Sequence, residues 1–244
     1  MSVSDLTYPG NAASQPRPLP SPLAGVDLWW CEVAADDAAQ TLLHAWLSHD
    51  ERARALRFGR ASLATRYIVG RANLRWVLSR RLGCTPAAVP IVRDRTGRPR
   101  LAGEDLTDFN VSNTLGVALI GVTATPGLRI GVDLEHAERR VNHTALARKF
   151  LTGHERQNLA GLDEPTRRHA FLRLWTCKEA MSKATGDALS APLRELDVAL
   201  SPMLQLLGGP PPYVADAWEL AAIAVPHGYL ATLALWRQIR PGAV

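Results

Sequence analysis

Residues 61–82 read ASLATRYIVGRANLRWVLSRRL, and this stretch sets the plan of the chain. Its apolar side chains recur at helical spacing, and Gly83 follows directly as a residue suited to end a helix. Residues 164–185 predict a second long helix, with Gly186 after it. Short segments typical of antiparallel strands follow each helix, so the sequence predicts an α+β protein with two halves.

The 244-residue chain divides, by prediction, into a flexible proline-rich tail over residues 1–24 and two α+β lobes over residues 25–126 and 127–244. The tail prediction rests on the run QPRPLPSP at residues 15–22, which lacks the basic start and apolar region of a signal peptide.

No apolar run approaches the roughly 20 residues of a membrane helix, which argues against a membrane protein. The three cysteines, Cys31, Cys84 and Cys177, are scattered and form neither a metal-binding pattern nor a disulfide framework. These features favour the cytoplasm.

Positive charge is concentrated between Asp50 and Arg100, a segment with thirteen arginines and only three acidic residues. The net charge of the whole chain is +5. Such a segment favours a phosphate-rich ligand, an acidic protein partner or a nucleic acid. Lysine is rare by comparison, since the chain contains only Lys149, Lys178 and Lys183. Where arginine is the usual cation, a lysine indicates a site that uses a compact ammonium group.

Two acidic side chains lie near the end of the predicted strand Leu128–Glu135. Asp133 and Glu135 share one face of this strand, because successive side chains point to opposite sides. Carboxylates about 6–7 Å apart repel each other, and a divalent cation with a preference for oxygen ligands, such as Mg²⁺, would relieve that repulsion. The pattern alone also fits a solvated polar face, so both interpretations stay open.

The second long helix carries Trp175, Glu179 and Lys183 at successive intervals of four residues, nearly in one line. This row offers a carboxylate to a metal site and an ammonium one turn further on. The spacing also fits an ordinary surface pair between glutamate and lysine.

Taken together, these residues resemble the 4′-phosphopantetheinyl transferases, and the length and doubled architecture resemble the larger, Sfp-like class. The resemblance spans residues 48–198 and rests on four segments: Gly97-Arg98-Pro99, Phe109-Asn110-Val111-Ser112-Asn113, Asp133-x-Glu135, and Trp175-x-x-Lys178-Glu179-Ala180-x-x-Lys183-x-x-Gly186. It implies two similar lobes related by a pseudo-two-fold axis, each a small antiparallel sheet packed with a long helix, with the active site in the cleft between them.

The implied activity is Mg²⁺-dependent transfer of 4′-phosphopantetheine from coenzyme A to a serine of an apo acyl or peptidyl carrier protein, with release of 3′,5′-ADP. The resemblance implies a monomer with no nucleic-acid or membrane partner. It assigns the metal to Asp133, Glu135 and Glu179, and places Asp133 and Lys183 at the pyrophosphate of coenzyme A. Glu179 and Lys183 are thereby catalytic residues.

Further roles also follow from the resemblance alone. Glu155 is the implied general base for the carrier serine, with a metal-bound water as the alternative. Arg54, Arg98 and Ser112 match positions that contact the nucleotide and its 3′-phosphate. Asn113 stands where the family usually has a phosphate-binding histidine, and asparagine cannot supply a positive charge.

Two other functions compete with this interpretation. A Mg²⁺-dependent nuclease of the D…E-x-K kind would also use clustered acids, a lysine and a basic surface. That motif requires a lysine two residues after the glutamate, whereas Glu135 is followed by His136 and Ala137. A non-catalytic binder of acidic proteins would leave the aligned Glu179 and Lys183 without a purpose.

Overall fold

The computed structural model describes residues 7–103, 106–139 and 141–238, apart from the side chain of Leu189. The first lobe contains three helices and six strands, which are, in chain order, β1 (Arg17–Leu19), β2 (Val26–Glu32), α1 (Asp37–His44), α2 (His49–Ala55), α3 (Ala61–Leu82), β3 (Ile91–Arg93), β4 (Pro99–Leu101), β5 (Asp108–Thr114) and β6 (Val117–Thr123).

The second lobe begins after residues 124–127 and has three helices and five strands within the described ranges. Its elements are β7 (Leu128–His136), α4 (His143–Phe150), α5 (Gly153–Ala160), α6 (Glu164–Thr185), β8 (Asp197–Ala199), β9 (Gln205–Gly208), β10 (Trp218–Ala222) and β11 (Tyr229–Arg237).

The two lobes share one plan, as the sequence predicted. The antiparallel sheets have the orders β1-β2-β6-β5 and β10-β11-β7, and strands β2, β6 and β5 of the first correspond to β7, β11 and β10 of the second. Two short helices and one helix of 22 residues follow β2 in the first lobe and β7 in the second. The prediction of an α+β protein with two similar lobes is therefore confirmed.

Local sequence fixes the ends of the helices in both lobes alike. Each long helix ends at a glycine in the left-handed region, Gly83 with φ 65° and Gly186 with φ 91°, where a side chain would be strained. The second short helix of each lobe begins with a capping box, formed by Ser48 and Glu51 in α2 and by Thr152 and Glu155 in α5.

Apolar side chains from both sheets form a core between the lobes, in addition to a core within each lobe. Two glycines permit this close packing. A Cβ on Gly131 of β7 would lie 1.8 Å from the carbonyl oxygen of Ala180 in α6, and one on Gly121 would lie 2.7 Å from Ile130 Cδ1. Helix α6 is thus held directly against the strand that carries Asp133.

Strands β5 and β7, each at the edge of its sheet, run parallel to one another and are joined by side chains. The backbone N–H groups of Ile130, Val132 and Leu134 donate to three polar side chains of β5 at 2.8, 3.1 and 3.1 Å. The acceptors are Asp108 Oδ2, Asn110 Oδ1 and Ser112 Oγ, respectively. We call this row of three contacts the side-chain ladder.

The predicted flexible tail is wrong for residues 7–24. Strand β1 pairs with β2 at the edge of the first sheet. Tyr8 is buried, packs edge-to-face on Trp46 and Trp76, and donates a hydrogen bond of 2.6 Å to Asn73 Oδ1. Proline content misled the prediction because Pro18 lies on an edge strand, where a missing N–H is tolerated. Residues 1–6 lie outside the described range, as do residues 239–244 of the second predicted lobe.

None of the helices in the described ranges is both long enough and apolar enough to cross a membrane.

The side-chain ladder predicts a stability defect in Asn110→Ala. This change leaves the Val132 N–H buried without an acceptor, which costs about 1–3 kcal/mol. Urea denaturation should show that loss, whereas Asn113→Ala, on the same strand but exposed, should change the free energy of unfolding by less than about 0.5 kcal/mol. Equal stability of both variants and wild type would contradict the ladder's role.

Candidate active site

Three side chains from three elements meet at the cleft between the lobes. Ser112 of β5 donates to Asp133 Oδ1 at 3.0 Å, and Lys183 of α6 donates to the same oxygen at 2.6 Å and to Ser112 Oγ at 2.9 Å. Asp133 Oδ2 is buried and accepts no hydrogen bond from the described residues. The first lobe therefore contributes directly to a site whose acidic groups come from the second.

Glu135 lies two residues further along β7 and contacts Arg139 in the loop that follows. Burial raises the pKa of Glu135, and the negative charge of Asp133 adds to that shift, while Arg139, Lys183 and a hydrogen bond from Trp175 oppose it. Arg139 was not singled out in the sequence because loop arginines are common in this chain.

Burial also raises the pKa of Glu179, again with a contribution from the charge of Asp133 and with opposition from Lys183 and Arg139. The three predicted metal ligands therefore share one electrostatic environment. No hydrogen bond or ion pair joins the Glu179 carboxylate to another described side chain, so its oxygens are available for other partners.

The chemistry of these groups fits a divalent cation. An unpartnered buried carboxylate oxygen on Asp133 and two glutamates with raised pKa values together form an oxygen-rich, electron-rich donor set. Within residues 7–103, 106–139 and 141–238, however, no three His, Cys, Asp or Glu side chains are already clustered as a metal site. Lys183 and Arg139 instead pair with two of the carboxylates, so a cation would compete with them.

A cavity of about 400 Å³ opens in the first lobe between helix α3 and the β5–β6 hairpin. Its lining includes Arg66, Tyr67 and Arg71 from the helix and Asn113 from the strand. Arg71 is anchored to Glu51 Oε1 at 2.6 Å, while Arg66 is exposed. Asn113 is the predicted nucleotide contact that the structure places here, directly after Ser112. We call this space the α3 cavity.

Arg54 and Arg98 occupy different surroundings. Arg54 is exposed, with its guanidinium 5.6 Å from the centre of the Tyr67 ring, and Tyr67 lines the α3 cavity. Arg98 is 6% exposed, and its five N–H donors are all in use. They contact both oxygens of Asp108 at 2.7 Å, the carbonyls of Lys183 and Ile130 at 2.9 and 2.8 Å, and that of Pro99 at 3.4 Å.

The placement of Arg98 argues against the predicted phosphate contact, because the guanidinium has no free donor and little access to solvent. Its contacts instead tie β5 to β7 and to the end of α6. Arg98 therefore holds the two lobes together beside the site.

The placement of Glu155 argues against the predicted general base. Glu155 is 1% exposed, and it accepts from Lys178 Nζ at 2.6 Å, from the Thr152 N–H at 2.8 Å and from the Val198 N–H at 3.0 Å. A carboxylate bound in this way cannot reach the hydroxyl of a carrier protein. The capping-box spacing from Thr152 to Glu155 was the sequence signal that could have revealed a structural role.

The other lobe contains the same arrangement. Glu51 of the α2 capping box accepts from Arg75 at 2.6 Å, and Arg75 is 1% exposed. Arg75 and Lys178 are each the fifteenth residue of their 22-residue helices. The buried pair of Glu155 and Lys178 is therefore part of the duplicated framework.

Comparison with known proteins shows the family to which the chain belongs. The family model described as the 4′-phosphopantetheinyl transferase superfamily matches residues 129–234. The 4′-phosphopantetheinyl transferase HetI of Nostoc sp. is 34% identical over 217 residues, which cover 86% of this chain and 87% of the relative. The chain belongs to the 4′-phosphopantetheinyl transferase superfamily.

Two further likenesses were found for this transferase. A putative 4′-phosphopantetheinyl transferase of Synechocystis sp. is 35% identical over 154 residues, or 62% of each chain. A crystal structure of a holo-(acyl-carrier-protein) synthase from Bacillus anthracis in complex with coenzyme A aligns at 18% identity with a TM-score of 0.37, covering 46% of this chain and 96% of the other. Family membership makes the chain a transferase of phosphopantetheine, in preference to a nuclease or a non-catalytic binder.

The framework role of Glu155 predicts that Glu155→Gln lowers the free energy of unfolding by about 3–5 kcal/mol, because it leaves the buried Lys178 ammonium without a charged partner. Chemical denaturation measures this loss. Glu195→Gln, an exposed change in the same lobe, is the control and should stay within about 0.5 kcal/mol of wild type. Unchanged stability together with lost turnover in Glu155→Gln would restore the base assignment.

The raised pKa of Glu179 predicts that Glu179→Gln stabilises the metal-free transferase at neutral pH. The folded state holds the Glu179 proton more tightly than the unfolded chain, so stability falls as pH rises through the interval between the two pKa values. Glutamine does not ionise, so the variant does not lose stability in this way and should have a higher Tm than wild type at pH 7. Below about pH 3, where the carboxyl is almost fully protonated in both states, the two proteins should melt alike. A lower Tm for the variant at pH 7 would contradict this account.

Proposed function

We propose that this transferase moves the 4′-phosphopantetheine group of coenzyme A to a serine of an apo acyl or peptidyl carrier protein, in a Mg²⁺-dependent reaction that releases 3′,5′-ADP. The observation that carries the proposal is the contact of Ser112, Asp133 and Lys183 across the lobes, beside two glutamates with raised pKa values. Family membership supports the group that is transferred.

In this proposal, Asp133, Glu135 and Glu179 would hold Mg²⁺. When bound, the ion would supply positive charge to the pyrophosphate oxygens of coenzyme A, which is the principal requirement of phosphoryl transfer. The free Oδ2 of Asp133 supports the assignment of that residue. Ser112 and Lys183 both donate to Asp133 Oδ1, so they orient the carboxylate with Oδ2 left open.

Lys183 acts on the leaving group. Its side chain is about one quarter exposed, which supports access from the cleft while the ammonium contacts Asp133. During transfer, the serine oxygen forms a bond to the β-phosphorus as the bond from that phosphorus to the bridging oxygen breaks. The departing 3′,5′-ADP carries the new negative charge, and a nearby ammonium stabilises that charge.

The serine proton needs an acceptor, and Glu155 does not fit this role because it is buried and already bound to Lys178. Glu179 is assigned to the metal in this proposal, so its carboxylate is engaged when the cation is bound. Water in the cleft therefore accepts the serine proton, which is the alternative to Glu155 that the family resemblance left open.

The α3 cavity binds the nucleotide part of coenzyme A in this proposal. The exposed Arg66 and the anchored Arg71 provide positive charge for its phosphates, and Asn113 provides a neutral donor. These arginines replace the positive charge that the family's usual histidine would supply and that Asn113 lacks.

A single chain supplies every group named above, which supports a monomeric enzyme with coenzyme A and a carrier protein as its partners. We also propose that it acts in the cytoplasm, where both are made.

Transfer is tested by incubating the enzyme with coenzyme A, Mg²⁺ and an apo carrier domain and measuring the carrier's mass. We expect a gain of one phosphopantetheinyl group, loss of that gain with EDTA, and its return with added Mg²⁺. Asp133→Ala and Glu179→Ala should abolish transfer, and Lys183→Ala should lower kcat by about 10²–10³-fold.

Lys149→Ala is the matched control, because Lys149 is an exposed lysine whose described contact is with the ring of Phe150 and not with any of the three carboxylates. It should retain wild-type turnover. Wild-type activity in Asp133→Ala or Glu179→Ala would remove that residue from the site, and absence of any mass gain with several carrier domains would refute the proposed acceptor class.

A further inference from the structure

Leu115 lies at the tip of the β5–β6 hairpin in a conformation that leucine rarely adopts. Thr114 pairs with Val117, so the turn consists only of Leu115 and Gly116, with φ values of 36° and 86°. Two consecutive positive φ values are typical of a type I′ turn, in which Asn-Gly is a preferred pair. Glycine fits this geometry without strain, but the branched side chain of leucine does not.

Leu115 also contributes little to the stability of the fold, because 65% of its surface is exposed. An apolar side chain contributes to stability only when it leaves water, and Leu115 buries little of its surface in the protein. Strain and exposure therefore both disfavour leucine at this position. Residues held in this way are concentrated at ligand-binding sites, where the cost is offset by function.

The location of Leu115 identifies the ligand. Leu115 lines the α3 cavity together with Arg66, Tyr67 and Asn113. The cavity therefore combines cationic side chains with an exposed apolar group, which is the combination that suits a phosphorylated nucleoside. Phosphates pair with the arginines, and the flat face of a base can cover the leucine.

We infer that Leu115 packs against the nucleoside of coenzyme A and is a specificity-determining residue for the nucleotide end of the substrate. The inference rests on the proposed function. It adds an apolar contact that buries Leu115 only in the bound state. The left-handed conformation of Leu115 is thus explained by contact with the ligand. The fold itself does not require a leucine at this position.

The test uses Leu115→Asn in the full chain, with 3′,5′-ADP as the probe in isothermal titration calorimetry. This nucleotide lacks the pantetheine arm, so it reports on the α3 cavity alone. We expect the variant to bind 3′,5′-ADP about five- to tenfold more weakly, while its Tm rises by about 2–4 °C because strain is relieved. Leu115→Met, which keeps an apolar side chain, should retain most of the affinity.

Two control variants separate strain and surface apolarity from ligand contact. Ala188→Gly relieves another positive φ, 48°, away from the cavity, and should raise Tm without changing nucleotide affinity. Leu56→Asn replaces a leucine that is 85% exposed and does not line the cavity, and should leave binding unchanged.

The outcomes distinguish the two proposals. If wild type binds neither coenzyme A nor 3′,5′-ADP, the proposed function itself fails. If wild type binds 3′,5′-ADP and Leu115→Asn binds it equally well, the proposed function stands and the role of Leu115 is overturned. Weakened binding in Leu56→Asn to the same extent would also overturn it.

Discussion

The side-chain ladder between β5 and β7 is the interaction on which the two-lobe structure depends. Both strands lie at sheet edges, and a buried edge with unpaired N–H groups would be unstable. Side chains two residues apart on β5 replace the carbonyl groups that a neighbouring strand would offer. Ser112 completes the ladder and also donates to Asp133, so a residue that joins the lobes also orients a carboxylate of the candidate site. The interface between the lobes and the candidate site therefore share a side chain.

The same demand for satisfied polar groups argues for a structural role of two predicted site residues, the nucleotide contact Arg98 and the general base Glu155. A buried charge is tolerated only when its partners use most of its hydrogen-bonding capacity. Arg98 meets this condition through Asp108 and three backbone carbonyls, and Glu155 meets it through Lys178 and two backbone N–H groups. A group that is already saturated has no capacity for substrate. The carboxylate of Glu179, which lacks described partners, has that capacity.

The sequence predicted features that depend on local periodicity and missed those that depend on distant partners. Both long helices, their terminal glycines and the strand carrying Asp133 follow from spacing over a few residues, and the family resemblance supplied the convergence of the lobes. Tyr8 contacts Asn73 across 65 positions, which no local pattern reports. The ladder also joins side chains to backbone groups 22 residues away. The two capping boxes, in contrast, were visible in the sequence, and reading them as a repeat would have shown Glu155 to be structural.

Duplication of the framework has not duplicated the site, and the physics of the carboxylates gives a reason. The sixteenth residue of each long helix is Trp76 in the first lobe and Glu179 in the second. Trp76 is buried against Tyr8 and Trp29, with the guanidinium of Arg80 over its ring, so this position stabilises the first lobe. Glu179 stands near Asp133 with a raised pKa, so the same position destabilises the second lobe at neutral pH. The first lobe thus has an aromatic core at this position, whereas the second has clustered negative charge, which in the proposed function is the charge that would hold the metal.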